Sequence, residues 1–525
     1  MDPLTQLSFD PRQFTHTLPI ALPALAGLAV LCGDVFLKPG RGKSALAAAT
    51  ALTGVLAAVL ALALWTGDAH RVVLGGQLGV SALPGALALT IVLATVITAF
   101  SAVHHGQPFG GAPAPGTIAH GELYGLLLFA AAGMLALVAA NDLVTFFVAL
   151  ETLSIAVYAL TGIERRRARA AEGALKYFVL GAFSSGFLLY GMALIYGATG
   201  TLRLDEVARL DLAGNARMAT TGAVLLFSGL LFKLAAVPFH AWSPDAYEGA
   251  PSPVTGFMSV GVKAAAFGGA LHVVAALGQA GALGGGVAWT LWLVAALTVI
   301  VGNAGALTQR NPRRLLAYSS VAHTGYALIG LVALARAYDP EHPLAGPGMV
   351  ETGRDAAAGI VYYVLGYGVA NLAAFGVLCH LERDGRDIDD IDELAGLAQR
   401  QPGMALAMTL AMLSLAGLPG TAGFLGKLWV FRAGVAAGDV GLVVLALLTS
   451  ALSLYYYLGV VVTMYMRQPA AASAEAAAPD RLTPDPGRWG TKLAVVVAAV
   501  AVVLLGVYPG QGLLGLVVDG ARALL

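Results

Sequence analysis

Charged residues are scarce in this chain of 525 residues. They make up 11% of it, whereas hydrophobic residues make up 58% and the mean hydropathy is +0.78. A water-soluble protein of this length needs more charge on its surface, so the composition excludes an ordinary soluble protein. The formal net charge is zero, which provides no overall field for binding nucleic acid. Only two cysteines occur, which excludes a cysteine-ligated metal cluster within the chain and argues against a disulfide framework.

Long apolar stretches take the place of charge. A hydrocarbon core about 30 Å thick requires roughly 20 apolar residues in a helix. Fourteen windows meet this requirement, at 18–37, 44–66, 83–103, 122–140, 142–162, 172–197, 218–240, 251–276, 286–307, 315–335, 356–380, 402–430, 438–466 and 491–509. The first window lacks the basic leader and cleavage site of a signal peptide and is interpreted as a retained span. The sequence therefore predicts an all-α polytopic membrane protein with about 14 transmembrane helices.

Lysine and arginine are unevenly distributed among the loops. Most of them lie in loops that follow odd-numbered windows, led by the basic run at 165–169. The positive-inside rule places these loops in the cytoplasm. With an even number of spans, both termini then lie on the outer, periplasmic side of a bacterial inner membrane.

Two windows are interrupted by residues that break helices. The seventh contains Pro238, and the twelfth contains a Gly- and Pro-rich segment at 417–420. At membrane depth such a break is tolerated only against protein or a watery cavity. The two broken windows are five apart and so cross in opposite directions, which predicts two inverted five-helix repeats, each with one broken helix. The predicted units are three peripheral helices at 1–110, the first repeat at 120–280, the second at 285–467, a cytoplasmic linker at 468–490 and a C-terminal transmembrane helix at 491–525.

No arginine lies inside a window. The lysines there are Lys176, Lys233, Lys263 and Lys427, besides Lys492 at the edge of the last window. A buried lysine amine can take up and release a proton, whereas the guanidinium of arginine stays charged. The one acid near the middle of a window is Glu151, which makes it the natural partner of Lys233. This pattern predicts a proton relay, with a static ion pair between helices as the alternative.

The other candidates leave more alternatives open. Lys176 lies near the cytoplasmic end of its window and Lys427 in the outer half of its own, so either amine could instead reach the interface. Lys263 has small neighbours that leave room for water. His323 could be a relay between the repeats or a packing residue. The acidic run at 387–393 lacks the spacing of a calcium loop and is interpreted as a solvated loop.

Several motifs resemble a known family. Residues 231–254, which include Lys233, Pro238 and the segment Ser-Pro-Asp-Ala-Tyr-Glu-Gly-Ala-Pro, resemble the antiporter-like membrane subunits of respiratory complex I. Residues 313–326 fit a motif shared by that whole group. Within the group, residues 414–427 resemble subunit N, because a lysine occupies the final position. The resemblance covers essentially the whole chain.

The resemblance implies a proton-translocating subunit of an NADH:quinone oxidoreductase. It assigns Glu151 and Lys233 as a coupling pair, Lys263 as the central relay and Lys427 as the outer carrier. It also implies that this chain holds no cofactor, and that FMN, iron–sulfur clusters and quinone belong to partner subunits of the complex. Two alternatives stay open: a subunit of a multi-subunit sodium/proton antiporter, and a membrane scaffold with static charges.

Overall fold

The computed structural model describes residues 11–36, 43–66, 71–103, 120–283, 285–339, 342–344, 346–382, 387–468, 482 and 488–524. These residues are almost all helical. The helices are α1 Leu18–Asp34, α2 Lys43–Trp65, α3 Ala82–Ala102, α4 His120–Ala139, α5 Leu143–Thr161, α6 Ala168–Thr199, α7 Leu204–Val207, α8 Ala216–Lys233, α9 Trp242–Gly249, α10 Ser252–Phe257, α11 Lys263–Gln279, α12 Gly285–Leu307, α13 Pro312–Arg336, α14 Pro347–Leu381, α15 Leu397–Arg400, α16 Pro402–Ala416, α17 Ala422–Ala436, α18 Val440–Met466, α19 Trp489–Val507 and α20 Gln511–Leu524.

The all-α membrane architecture predicted from hydropathy is confirmed. Among the described residues, 12 helical segments are long and apolar enough to cross a membrane. They correspond to the predicted windows except the seventh and the twelfth. In the seventh window the helix α8 ends early, at Lys233, and the twelfth is divided between α16 and α17. The total of 14 spans and the inverted repeats remain predictions, because no single long apolar helix covers the seventh or the twelfth window among the described residues.

The interior of the molecule is built around three segments. These are α13, α14 and the continuous helical segment Ser252–Gln279, which are almost wholly enclosed by other helices. Outer helices such as α1 and α6 instead expose large apolar side chains, including Leu25 and Phe183. Exposed apolar surface of this kind suits contact with lipid or with partner helices. Polar side chains on the three inner segments are therefore held inside protein.

Local sequence explains where several elements begin. Asp142 caps α5, because its carboxylate accepts hydrogen bonds from Val144 N at 2.9 Å and Thr145 N at 3.1 Å. Before α3, a short antiparallel hairpin pairs β1 Arg71–Val73 with β2 Leu78–Val80. The backbone of Gln77 in this hairpin accepts a hydrogen bond from Asn141 N, so the hairpin rests on the start of α5.

Two features differ from the sequence interpretation. The C-terminal segment forms the apolar span α19 and then a second helix, α20, which packs on α3. The acidic run is not simply solvated: the Asp387 side chain is 1% exposed and pairs with Arg313 at 2.9 Å. Hydropathy alone does not show that Arg313, at the start of α13, is buried and available as a partner for Asp387. The linker predicted at 468–490 lies largely outside the described residues.

Candidate functional site

The first interruption begins at Lys233, the last residue of α8. Residues 234–241 form turns until α9 begins. Within this segment Ala235 adopts a left-handed conformation, with φ of 54°. Glycine normally occupies such a position, and an L-residue there costs roughly 1–2 kcal/mol. The break is thus a locally strained segment that the surrounding structure must hold in place.

Two threonines from neighbouring helices hold the backbone of this break. Thr324 Oγ1 of α13 donates to Leu234 O at 2.7 Å. Val237 N donates to Thr298 Oγ1 of α12 at 3.0 Å. These contacts satisfy backbone groups that a continuous helix would have paired internally. The geometry at Lys233 therefore depends on α12 and α13.

Lys233 is enclosed by aromatic side chains. Its side chain is almost fully buried, and its amine donates to the hydroxyl of Tyr158 at 2.6 Å. The amine also lies 4.7 Å from the ring centre of Tyr158, 5.5 Å from that of Tyr177 and 5.6 Å from that of Phe232. Behind them, Trp242 stacks on Tyr177 at 3.8 Å. Cation–π attraction and the hydroxyl together stabilise a charged amine here.

Glu151 does not contact Lys233 directly. Its carboxylate accepts a hydrogen bond from Ser185 Oγ of α6 at 2.5 Å, and within the described part of the chain it forms no ion pair with Lys233. Both Glu151 and Tyr158 lie on α5, seven residues apart, which is about 10 Å along the helix axis. Tyr158 thus lies on the same helix as the acid and contacts the lysine. The coupling of Glu151 with Lys233 stays a prediction, and the side chain that contacts the amine is that of Tyr158.

Lys176 lies at a network of ion pairs, away from Glu151. Its amine is 2.6 Å from Glu172 and 2.6 Å from Asp245. Asp245 lies in α9, the helix that follows the first interruption. Arg314 at the start of α13 pairs with the same Asp245 at 2.7 Å. Burial would raise the pKa of Asp245, but hydrogen bonds from Lys176 and Arg314 outweigh it and lower that pKa. Lys176 is 44% exposed, so its position fits an entry region or a structural ion pair.

Lys263 lies at the junction between a π-helical turn and the α-helix α11. The segment Met258–Val262 forms a π-helical turn just before Lys263 opens α11, and such turns are frequent at functional sites. The amine donates to Ser320 O and, at 2.6 Å, to Thr324 Oγ1. It also lies 5.5 Å from the ring centre of Tyr367. Two acceptors from α13 therefore hold this buried amine.

Hydroxyl groups continue from Lys263 along α13. Ser320 Oγ accepts from Tyr367 OH at 2.8 Å and lies 3.1 Å from Tyr247 OH. One turn further along the helix, His323 Nδ1 lies 2.7 Å from Tyr363 OH, and its Nε2 lies 3.2 Å from Tyr457 OH. These groups are buried. His323 thus bridges α14 and α18 between two tyrosine hydroxyls.

Lys427 caps the second interruption. Its amine donates to Leu415 O at 2.9 Å and Ala416 O at 3.0 Å, the last carbonyls of α16, and to Ser450 Oγ at 2.8 Å. A cation at a helix C-terminus is favoured by the free carbonyls and by the helix dipole. The amine also lies 4.9 Å from the ring centre of Tyr326. A cavity of about 430 Å³ between α17 and α18 is lined by Lys427.

The buried candidates Lys263, His323 and Lys427 all lie on α13 or in contact with it. Ser319, Ser320, His323, Thr324 and Tyr326 fall at helical spacing on α13 and form one polar face. This face contacts Lys263, and its Tyr326 ring lies next to Lys427. The sequence places His323 among hydroxyl residues, but it does not show which of these hydroxyls contact Lys263 or Lys427. The signal for them was the hydroxyl-rich face itself, which is unusual in an apolar span.

Comparison with known proteins gives consistent matches. Residues 140–339 and 345–453 match the family described as NADH:quinone oxidoreductase/Mrp antiporter, TM. NADH-quinone oxidoreductase subunit N of Myxococcus xanthus is 40% identical over 522 residues, which cover 95% of each chain. Similar subunit N sequences occur in Trichlorobacter lovleyi, at 45% identity over 66% of this chain and 68% of that relative.

Solved structures match along nearly the whole chain. A chain of respiratory complex I from Thermus thermophilus has a TM-score of 0.75 and 35% identity, covering 95% of this chain and 100% of that one. The Mrp complex from Dietzia sp. has a TM-score of 0.79 at 24% identity, covering 98% of both chains. At that lower identity, the second likeness shows a shared fold alone.

Proposed function

The chain belongs to the subunit N family of NADH-quinone oxidoreductase, and from this premise we propose that it carries protons across the membrane through its buried lysines. It is an antiporter-like membrane subunit of a translocase that works within a larger complex. Quinone reduction in partner subunits would supply the driving force. FMN, iron–sulfur clusters and quinone would all be held by those partners.

The proposal is supported above all by the hydrogen-bond partners of two buried amines, those of Lys263 and Lys427. Within the described residues, Lys263 and Lys427 are bound by carbonyl and hydroxyl oxygens, with no carboxylate paired to either amine. A buried ion pair that loses one charge leaves the other stranded at high cost. An amine that is hydrogen-bonded only to neutral groups can lose its charge without leaving an unpaired carboxylate behind. Such a site suits reversible proton transfer better than a static charge.

At the first break, we assign Tyr158 as the link within the coupling pair. Its hydroxyl binds Lys233 and lies two helical turns from Glu151. A change of charge at Glu151 would act on Lys233 through α5 and this hydroxyl. The pair would then exchange its proton without forming a permanent ion pair.

The proposed route runs from the arginine-rich ends of the helices to Lys427. Protons would enter near Asp245 and Lys176, reach Lys233 and Lys263, and continue along the polar face of α13 through His323. Lys427, beside the cavity between α17 and α18, would be the last carrier. This assignment keeps odd loops in the cytoplasm, both termini outside, and the two inverted repeats at 120–280 and 285–467.

The test uses two basic residues that line the same cavity. Lys427 is buried, whereas the side chain of Arg432 is 75% exposed. In inverted membrane vesicles that contain the assembled complex, Lys427→Met should lower NADH-driven proton uptake at least several-fold. Arg432→Met should leave uptake near the native value. Equal uptake in both variants would contradict the proposal, and sodium–proton exchange without NADH would favour the antiporter alternative.

A further inference from the structure

The hydroxyl of Thr324 lies between the first interruption and Lys263. It accepts from Lys263 Nζ at 2.6 Å and donates to Leu234 O at 2.7 Å. A threonine hydroxyl has one hydrogen to donate. Both contacts are therefore satisfied together only while the amine donates and the hydroxyl hydrogen points to Leu234 O. The Thr324 side chain is buried, so bulk water does not replace either contact.

We propose that Thr324 is a positioning residue that couples the charge of Lys263 to the break after Lys233. The proposal rests on the proposed proton transfer through Lys263. As an ammonium group, Lys263 has no lone pair, so the hydroxyl hydrogen of Thr324 goes to Leu234 O. Once the amine has released its proton, it keeps two hydrogens and gains a lone pair, which competes with Leu234 O for the hydroxyl hydrogen and weakens the contact to Leu234 O. No covalent bond at Thr324 changes, because only the hydroxyl rotates.

The hydrogen bond from Thr324 to Leu234 O matters because the backbone beside it is strained. Leu234 directly follows α8, and its carbonyl has no regular helical donor because the residue four positions later is Pro238, which lacks an amide hydrogen. Ala235, the next residue, is in the left-handed conformation that an L-residue adopts only at a cost. Loss of the Thr324 hydrogen bond removes one of the contacts that hold this conformation. Because Lys233 immediately precedes Leu234, a rearrangement there moves the amine of Lys233.

Among the residues that the structure describes, few other ionisable groups face Lys263. They are Tyr367 of α14, whose ring centre is 5.5 Å away, and Tyr247 of α9, which reaches Ser320. His323 lies one turn along α13 from Ser320, which accepts from the Lys263 amine, and Lys233 adjoins the break. In the part of the chain that the structure describes, no carboxylate pairs with Lys263. The Thr324 hydroxyl also lies 3.2 Å from Ser320 O, a longer contact than the one to Leu234 O.

The test measures amide hydrogen exchange at residues 235–241 in the assembled complex at rest. Exchange is measured between about pH 6 and about pH 9 and corrected for the intrinsic effect of pH on amide exchange. In the native complex, protection should fall roughly fivefold as Lys263 loses its proton, which corresponds to one hydrogen bond. Thr324→Val should show the lower protection at every pH, and Thr324→Ser should behave as the native chain does.

Two further variants separate this proposal from a general loosening of the fold. Lys263→Met leaves Thr324 free to donate to Leu234 O at all times, so protection should stay high at every pH. Thr298→Val removes the other threonine contact, at Val237, and should lower protection while the pH dependence remains. A native complex without pH dependence would overturn the proposal, as would a Lys263→Met variant that retains it.

The resting measurement does not require proton pumping. If exchange behaves as expected but vesicles take up no protons, the proposed function fails and the Thr324 contact stands. If vesicles take up protons but exchange at the break is independent of pH, the Thr324 proposal fails alone.

Discussion

Replacing Asp387 with asparagine tests whether a buried charge pair anchors the start of α13. Asp387 lies 2.9 Å from Arg313, and both side chains are 1% exposed. Asp387 also pairs with Arg167, whose side chain is 27% exposed. Removing one partner of a buried ion pair typically costs about 3–5 kcal/mol, because the remaining charge stays buried without compensation. Asp387→Asn should therefore destabilise the subunit strongly.

The matched control is Asp389→Asn, because Asp389 contacts the same arginine at 3.4 Å but is 50% exposed. An exposed pair contributes about 0–1 kcal/mol. The assay is the midpoint of thermal dissociation of the subunit from the purified complex. We expect a large drop for Asp387→Asn, a small one for Asp389→Asn, and partial recovery when Asp387→Leu is combined with Arg313→Met. Similar drops for both single variants, or no recovery in the double variant, would refute a buried anchor.

Two further predictions concern the breaks. Tyr158→Phe keeps the ring near Lys233 but removes a hydrogen bond to a charged group, which contributes about 1.5–3 kcal/mol. NADH-driven proton uptake should fall roughly tenfold, while Tyr177→Phe, which removes a buried hydroxyl with no partner among the described residues, should leave uptake unchanged. Gly423→Ala should destabilise the complex by about 1–3 kcal/mol or more in thermal dissociation, because its Cβ would lie 2.0 Å from a carbonyl oxygen of α16. Gly459→Ala, with open space around it, should have little effect.

Sequence patterns predicted the membrane fold because they depend on local composition. The apolar windows reflect the thickness of a bilayer, and each helix satisfies its own backbone within one segment. The interruptions near Pro238 and Gly417 were also local, since Pro lacks an amide hydrogen and Gly readily ends a helix. Both breaks are present in the structure, at the end of α8 and the end of α16.

The partners of the lysines could not be predicted in the same way. Tyr158 precedes Lys233 by 75 residues, and Tyr457 follows His323 by 134 residues. Such pairs form through packing between helices, which composition and spacing do not specify. A carboxylate was the expected partner of Lys233 because charge complementarity is the simplest rule. An aromatic enclosure with one hydroxyl meets the same physical need.

The most direct test of the account compares Lys233→Arg with the native chain in inverted membrane vesicles, with assembly of the complex verified in both. Arginine preserves the positive charge but does not release its proton. If Lys233 carries protons, NADH oxidation should continue in the assembled variant while NADH-driven proton uptake collapses. Unchanged proton uptake would show that Lys233 is a structural charge and would contradict the proposed relay.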